Sequence, residues 1–538
     1  MTRRSLLFLI ALLYITQTSK AQKTPSQHPK LLVIILIDQL GTDQLAAFRD
    51  KFSANGINRL INGGAFYQNA YYPAGSNYQG SNLATFYTGT YPSTHGIVSD
   101  WWYDHLRNKE VSAAYGDLLI NGDKAVRFPT SESLLTSTIT DELKWMNNGT
   151  SRVTSIGFNP NFLVWTGGHN PNYLYQIDSN TGKFNSIPQK NNTDSIPEWA
   201  KQFNEKDLLL TYSKREWGPL IDLNRYHQMR FFKEERSETS SFLYPLAIQE
   251  GKDAYLPVLH SPYGNKLIRD FAMSQIINDQ YGKNDVTDVI TLQFTSRSVH
   301  GNSDGCFDAE TEDMLLRLDE EIADLIKTID HEVGLENTLV ITTSISAPSR
   351  SVDDNTTYGI PTGIFSGSKA SSLLNLFLMA KYGQGKWVMT YHDGQIFLNH
   401  KLIEEHKLDL ANIKKEASAF LSDMKGIAYA MPISELKTSS SDMSSLRNLK
   451  LNYHPLRSGD IVIKLRPGWN EELSGGRKIN RNWNTTQLPL IFYGWKVKPQ
   501  NIYEAVPMIN VAPSICSYLN IPFPNGCEGT PLKGVIIR

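Results

Sequence analysis

Leu31-Leu32-Val33-Ile34-Ile35-Leu36-Ile37-Asp38 is an unbroken apolar run closed by an acid. A strand with one wet face alternates apolar and polar residues, so a run of this kind reads as a strand buried on both faces, the central position of a parallel sheet. Asp38 at its carboxyl end is the first candidate functional residue, because ligands of open α/β sheets collect outside those strand ends. The same place also suits a helix-capping aspartate.

Working outward, apolar segments at Val153–Phe158, Val286–Phe294, Thr338–Thr342 and Leu488–Tyr493 read as further strands. Between them, Leu135, Ile139 and Leu143 recur every four residues, as do Leu318, Ile322 and Ile326, with Leu325 and Ile329 in the same stripe. That spacing marks amphipathic helices. Strands alternating with such helices give an α/β fold, a mostly parallel central sheet with helices on both faces. The main domain is expected over 31–538, with cap insertions at about 170–283, rich in Trp, Tyr, Pro and Asn, and about 347–483. Inside the second, His392-Asp393-Gly394 between two apolar runs signals a hairpin.

The chain has 538 residues, 53 Lys+Arg against 54 Asp+Glu, and 40% hydrophobic residues, which excludes disorder and a small disulfide scaffold. A net charge of -1 supplies no broad attraction to phosphate backbones, so no nucleic-acid partner is expected. Arg3-Arg4, the apolar run Leu6 to Ile15 and the small residues ending at Ala21 have the three regions of a secretory signal peptide over 1–21, followed by a polar leader over 22–30. The mature chain is therefore expected to be secreted or periplasmic, with no transmembrane segment. Cys516 and Cys527 are close enough in sequence to pair, leaving Cys306 alone; three free thiols are the other possibility.

Several ordered pieces carry a family resemblance: Ile35-Leu36-Ile37-Asp38-Gln39-Leu40, Tyr87-Thr88-Gly89-Thr90-Tyr91-Pro92-Ser93-Thr94-His95-Gly96-Ile97, Trp102-Tyr103-Asp104, Ser458-Gly459-Asp460-Ile461, Pro489-Leu490-Ile491-Phe492-Tyr493-Gly494 and Pro522 to Cys527. Over most of its mature length the chain resembles the alkaline phosphatase superfamily, in its secreted bacterial branch similar to nucleotide pyrophosphatases/phosphodiesterases. The resemblance implies two zinc ions held by Asp and His at strand ends and a Thr or Ser that attacks phosphorus. Such ions polarise the phosphoryl oxygen and lower the nucleophile's pKa.

Compared position by position, most of that apparatus is replaced. Asp38 keeps the place of the first ligand. The nucleophile falls on Gln79, whose amide cannot be activated by deprotonation; Ser76 and Ser81 are the nearby hydroxyls that a shifted register would recruit. The Asp and His ligands four residues apart become Ser298 and Asn302, and recruiting His300 instead would put Ser296 in the place of its Asp partner. The Asp-His dipeptide becomes Ile345-Ser346, and the last His becomes Lys478. The phosphate-binding groups become Asp100, Asn159 and Asn161. A carboxylate repels a phosphate dianion, and neutral amides supply no compensating charge.

The expectation is a catalytically inactive scaffold with no cofactor, serving as a binding or assembly component for a protein, glycan or peptide. Asp38 is then expected to pair with Lys478 or to cap a helix. Gln79, Asn159, Asn161 and Asn302, with Trp101, Trp102 or Trp165, would suit a neutral polar ligand. The alternative is a metal-dependent phosphomonoesterase or phosphodiesterase with a rearranged site and two zinc ions.

Overall fold

The structure is a computed structural model that describes residues 27–73, 78–116, 119–121, 124–189, 196–227, 242–297, 307–346, 348, 359, 361–435, 444–472, 478–480 and 487–536. The signal peptide read over 1–21, together with Ser76, Ser298, His300, Asn302 and Cys306, lies outside them.

Every side chain from Leu31 to Ile37 is fully buried, as the unbroken apolar run requires. The alternation of the pleat divides them. Leu31, Val33, Ile35 and Ile37 enter the core on one face of the sheet, and Leu32, Ile34 and Leu36 enter the core on the other. Burial of each such side chain contributes about 1.5–3 kcal/mol, so Asp38 ends a firmly held strand.

Among the described residues the central sheet has ten strands. Leu31–Asp38 lies between Thr338–Ser344 and Asp288–Thr295, parallel to both. Val153–Gly157 and then Tyr173–Ile177 continue the parallel set. Five adjacent strands thus present their carboxyl ends on one edge. Leu488–Gly494 runs antiparallel between Thr338–Ser344 and Ala65–Tyr71. The fold is the α/β architecture expected from the sequence. The segment expected as an insertion at about 170–283 departs from that description at its start, because Tyr173–Ile177 is itself a strand of the central sheet.

The helix Ala309–Glu332 buries Leu318, Ile322, Leu325, Ile326 and Ile329 completely, the stripe that its spacing dictates. The other helix begins later than its spacing suggests. Thr138 and Asp141 form a reciprocal capping box that starts it at Ile139, leaving Leu135 outside and half exposed. Within 347–483, Val388–His392, Gln395–Leu398, Ile461–Leu465 and Ile427–Pro432 form an antiparallel sheet with a core of its own, including Leu374, Trp387 and Ile413. Asp393 and Gly394 turn the expected hairpin with φ of 47° and 75°, the two positive values that a tight two-residue turn needs.

Cys516 and Cys527 are free thiols, so the pairing considered for them is absent. Cys516 is sealed inside the helix Val511–Leu519. No helix among the described residues is long and apolar enough to cross a membrane.

Candidate active site

The parallel registers set Asp38 beside Thr295, and Ile37 beside Ser344, so the segments that follow three neighbouring strands meet at one point. The helix Gln79–Thr88 brings its first residue to the same place. Gln79 Nε2 donates to Asp38 Oδ1 at 2.6 Å. Ser346 Oγ donates to the same oxygen at 2.7 Å, and the amide and hydroxyl are themselves 3.5 Å apart. Asp38, Gln79 and Ser346, the last more than 260 residues from the other two in sequence, form one polar triad.

The surrounding backbone is tied down by residues that the sequence comparison did not single out for this work. Asn82, one helical turn beyond Gln79, donates to the Ile345 carbonyl at 3.0 Å. Ser344 Oγ donates to the Ser346 carbonyl at 2.8 Å and accepts from the Leu40 amide at 3.0 Å. Ser296, fully buried, donates to the carbonyls of Asp38 and Gln39 at 2.8 and 3.1 Å. Its hydroxyl thus holds backbone in the place where a ligating aspartate was sought. The i, i+3 spacing of Gln79 and Asn82 was the available signal for Asn82; for Ser296 it was the strand pairing of Asp38 with Thr295, which only the structure supplies.

Ile345 is completely buried in the core beneath this point and offers no ligand atom. Ser81 is also fully buried, and its Oγ meets no partner among the described residues. Two residues along a helix lie on nearly opposite faces, so Ser81 points away from where Gln79 points. Its hydroxyl sits within the packed interior.

Asp100 approaches through Tyr78, the residue before Gln79. Burial raises the Tyr78 hydroxyl's pKa, and the carboxylates of Asp100 and Asp393 raise it further. Ser99 Oγ donates to both carboxylates, so acidic groups from two distant segments converge there. Asn159 caps the helix Pro160–Gly167 by accepting from the Asn161 amide at 3.0 Å. The Asn159 amide is held in turn by Gln293 Oε1 at 3.2 Å. These asparagines stand at the carboxyl end of Val153–Gly157, two strands from Asp38.

One expectation changes, and one falls outside the described residues. Trp165 is completely buried and Trp102 nearly so, with the Arg457 guanidinium stacked 4.8 Å over the Trp102 ring, so neither presents a face to a ligand. Lys478 belongs by its backbone to a small sheet opposite Glu472. Its side chain lies outside the described residues, as does any pair with Asp38.

His95, the histidine of the Tyr91–Ile97 motif, is fully buried, with Nε2 3.1 Å from Thr85 Oγ1 and Nδ1 accepting from the Ile97 amide at 3.1 Å. Burial, reinforced by the nearby Arg457, lowers its pKa to about 3. It is a neutral structural pin.

A model of the type I phosphodiesterase / nucleotide pyrophosphatase family matches residues 32–482. The chain is 27% identical over 543 residues to alkaline phosphatase PafA of Elizabethkingia meningoseptica, covering 99% of each. It is 29% identical over 529 residues to a Myroides odoratus protein described as a calcium-transporting ATPase, covering 95% of each. Alkaline phosphatase PhoV of Synechococcus elongatus is 27% identical over 528 residues, covering 95% of this chain and 93% of that one. The crystal structure of wild-type PafA superposes with a TM-score of 0.84 at 26% identity, covering 95% of this chain and 99% of that one.

Proposed function

The chain belongs to the type I phosphodiesterase / nucleotide pyrophosphatase family, and we propose that within it this chain is a member without phosphoryl-transfer activity, secreted as a binding or assembly component. The observation that carries the reading is the state of Asp38. Its Oδ1, which a metal would claim, is instead satisfied by the Gln79 amide and the Ser346 hydroxyl.

A pair of zinc ions calls for several imidazole, thiolate or carboxylate donors with correct geometry. Among the described residues, the donors gathered at the triad are one carboxylate, one primary amide and one serine hydroxyl, over a buried isoleucine. That set does not fit the pair, and no catalytic step is derived through it. The attacking position also lacks a hydroxyl, since Gln79 fills it. Nearby, Asp100 and Asp393 add negative charge next to Tyr78, which works against a phosphate dianion. Loss of ligands, nucleophile and anion attraction together is chemically concordant, and a fold retains a function only through its site.

The test is hydrolysis of a phosphate monoester and a diester by zinc-supplied protein. The reading expects turnover indistinguishable from the buffer control. Turnover that disappears in Asp38→Ala would establish the alternative, a phosphatase or phosphodiesterase with a rearranged two-zinc site.

A further inference from the structure

A second group of potential ligands lies away from the Asp38 triad. His105 follows the strand Trp101–Asp104, His400 opens the helix His400–Glu405, and Asp460 precedes the strand Ile461–Leu465. One ligand atom from each lies within 4.8 Å of the other two.

We propose that His105, His400 and Asp460 form a binding site for one zinc ion, joining the Trp101–Ser112 hairpin to the antiparallel sheet of the 347–483 region. Both imidazoles turn Nε2 toward the same carboxylate, His400 Nε2 standing 2.8 Å from Asp460 Oδ1 and His105 Nε2 standing 3.9 Å from Asp460 Oδ2. The second distance is too long for a hydrogen bond. Two ligand atoms on one tetrahedral zinc, with bonds of about 2.1 Å, lie about 3.4 Å apart, close to the spacing of this pair. The rings stack at 3.8 Å with 9° between their planes, so an ion lying in both ring planes requires the His105 ring to rotate out of the stack; both rings are part-exposed, which leaves room for that rotation and a path for the ion.

The Asp460 carboxylate is nearly buried and firmly oriented. Lys414 Nζ lies 2.7 Å from Oδ1, and the Leu398 amide donates to Oδ2 at 2.8 Å. With Lys414 kept on Oδ1, Oδ2 becomes the metal-facing oxygen; a ligating carboxylate held by such outer partners is the usual arrangement. Binding forms two Zn–N bonds and one Zn–O bond. The proton on His400 Nε2 moves to Nδ1, and water completes the fourth position. Two imidazoles and one carboxylate select zinc over magnesium or calcium, which prefer all-oxygen sites. The adjacent ammonium opposes the cation, so the affinity falls below that of a closed structural zinc site.

The site itself is independent of the inactivity proposed above; only the expected count of one zinc per chain rests on it, and further zinc that Asp38→Ala removes would count against that reading and not against this site. Its test is calorimetric titration of the chelator-treated full chain with zinc chloride, in wild type, His105→Ala/His400→Ala and Asp38→Ala, with thermal melts of each. The expected result is one zinc per chain in wild type and in Asp38→Ala, at least tenfold weaker binding in the double variant, and a zinc-induced rise in melting temperature that the double variant lacks. A milder His105→Gln variant, with an unchanged melt before zinc is added, should also weaken binding. No binding by wild type, or binding indifferent to the histidine substitutions, overturns the site. Binding lost in Asp38→Ala and kept in the double variant overturns it too.

Discussion

Gln79 Nε2 lies 2.6 Å from Asp38 Oδ1, an amide donor seated against the carboxylate that ends the central strand. The contact joins the end of the central strand to the start of the helix Gln79–Thr88. A hydrogen bond to a charged acceptor contributes about 1.5–3 kcal/mol. With the acceptor part-exposed and Ser346 still donating, Gln79→Ala is expected to cost about 1 kcal/mol. Chemical denaturation should show a lower midpoint at unchanged slope; an unchanged midpoint contradicts the role given to this contact.

Restoring a hydroxyl alone should not restore chemistry. Gln79→Thr supplies the residue type of the family nucleophile, yet Ile345 and Ser346 still provide no Asp-His pair. Hydrolysis of a phosphate monoester by Gln79→Thr is expected to stay at background. A rise of a hundredfold or more in that single variant would mean that a metal site survives beside Asp38.

Ser81 carries a fully buried hydroxyl that meets no partner among the described residues. Leaving such a group unpaired costs about 1–3 kcal/mol on protein scales. Ser81→Ala is therefore expected to raise stability by up to about 1 kcal/mol, after the loss of packing around the oxygen. Clear destabilisation in a thermal melt would show that the hydroxyl has work to do.

His95 should make the fold sensitive to acid. Its folded pKa is lowered to about 3 from the ordinary value of 6.5, first by burial and then by Arg457. Between those values the unfolded chain binds a proton that the folded chain does not. The neutral histidine's contribution is thus fully present above about pH 6.5 and is lost as pH falls toward about 3. Denaturant midpoints between pH 4 and 6.5 should rise with pH, and His95→Gln should flatten that slope. Equal slopes in the two proteins would assign the acid sensitivity elsewhere.

The central strand was legible because its burial on both faces leaves a one-dimensional trace, seven apolar residues in a row. The long helix was legible for the same reason, since Leu318, Ile322 and Ile326 mark one face at helical period. Leu135 misled because period was read without the cap; Thr138 and Asp141, three apart, already fixed the helix start. At the site, Asp38, Gln79 and Ser346 were each legible through the family comparison. Their mutual hydrogen bonding was not, because strand register and rotamers decide it. Asn82 escaped notice and Ser296 was read only as a stand-in for a ligand, since their side chains hold main-chain carbonyls, which no residue pattern encodes. Trp102 and Trp165 read as faces for a polar ligand because sequence does not show their burial, 4% and 0% exposed.

The most direct measurement is turnover of a phosphate monoester and a diester by the mature protein, purified without chelator and supplied with zinc, beside its Asp38→Ala variant. The account predicts background rates for both proteins on both substrates, even with one zinc bound at His105, His400 and Asp460. Turnover well above background in wild type, abolished by Asp38→Ala, would contradict it.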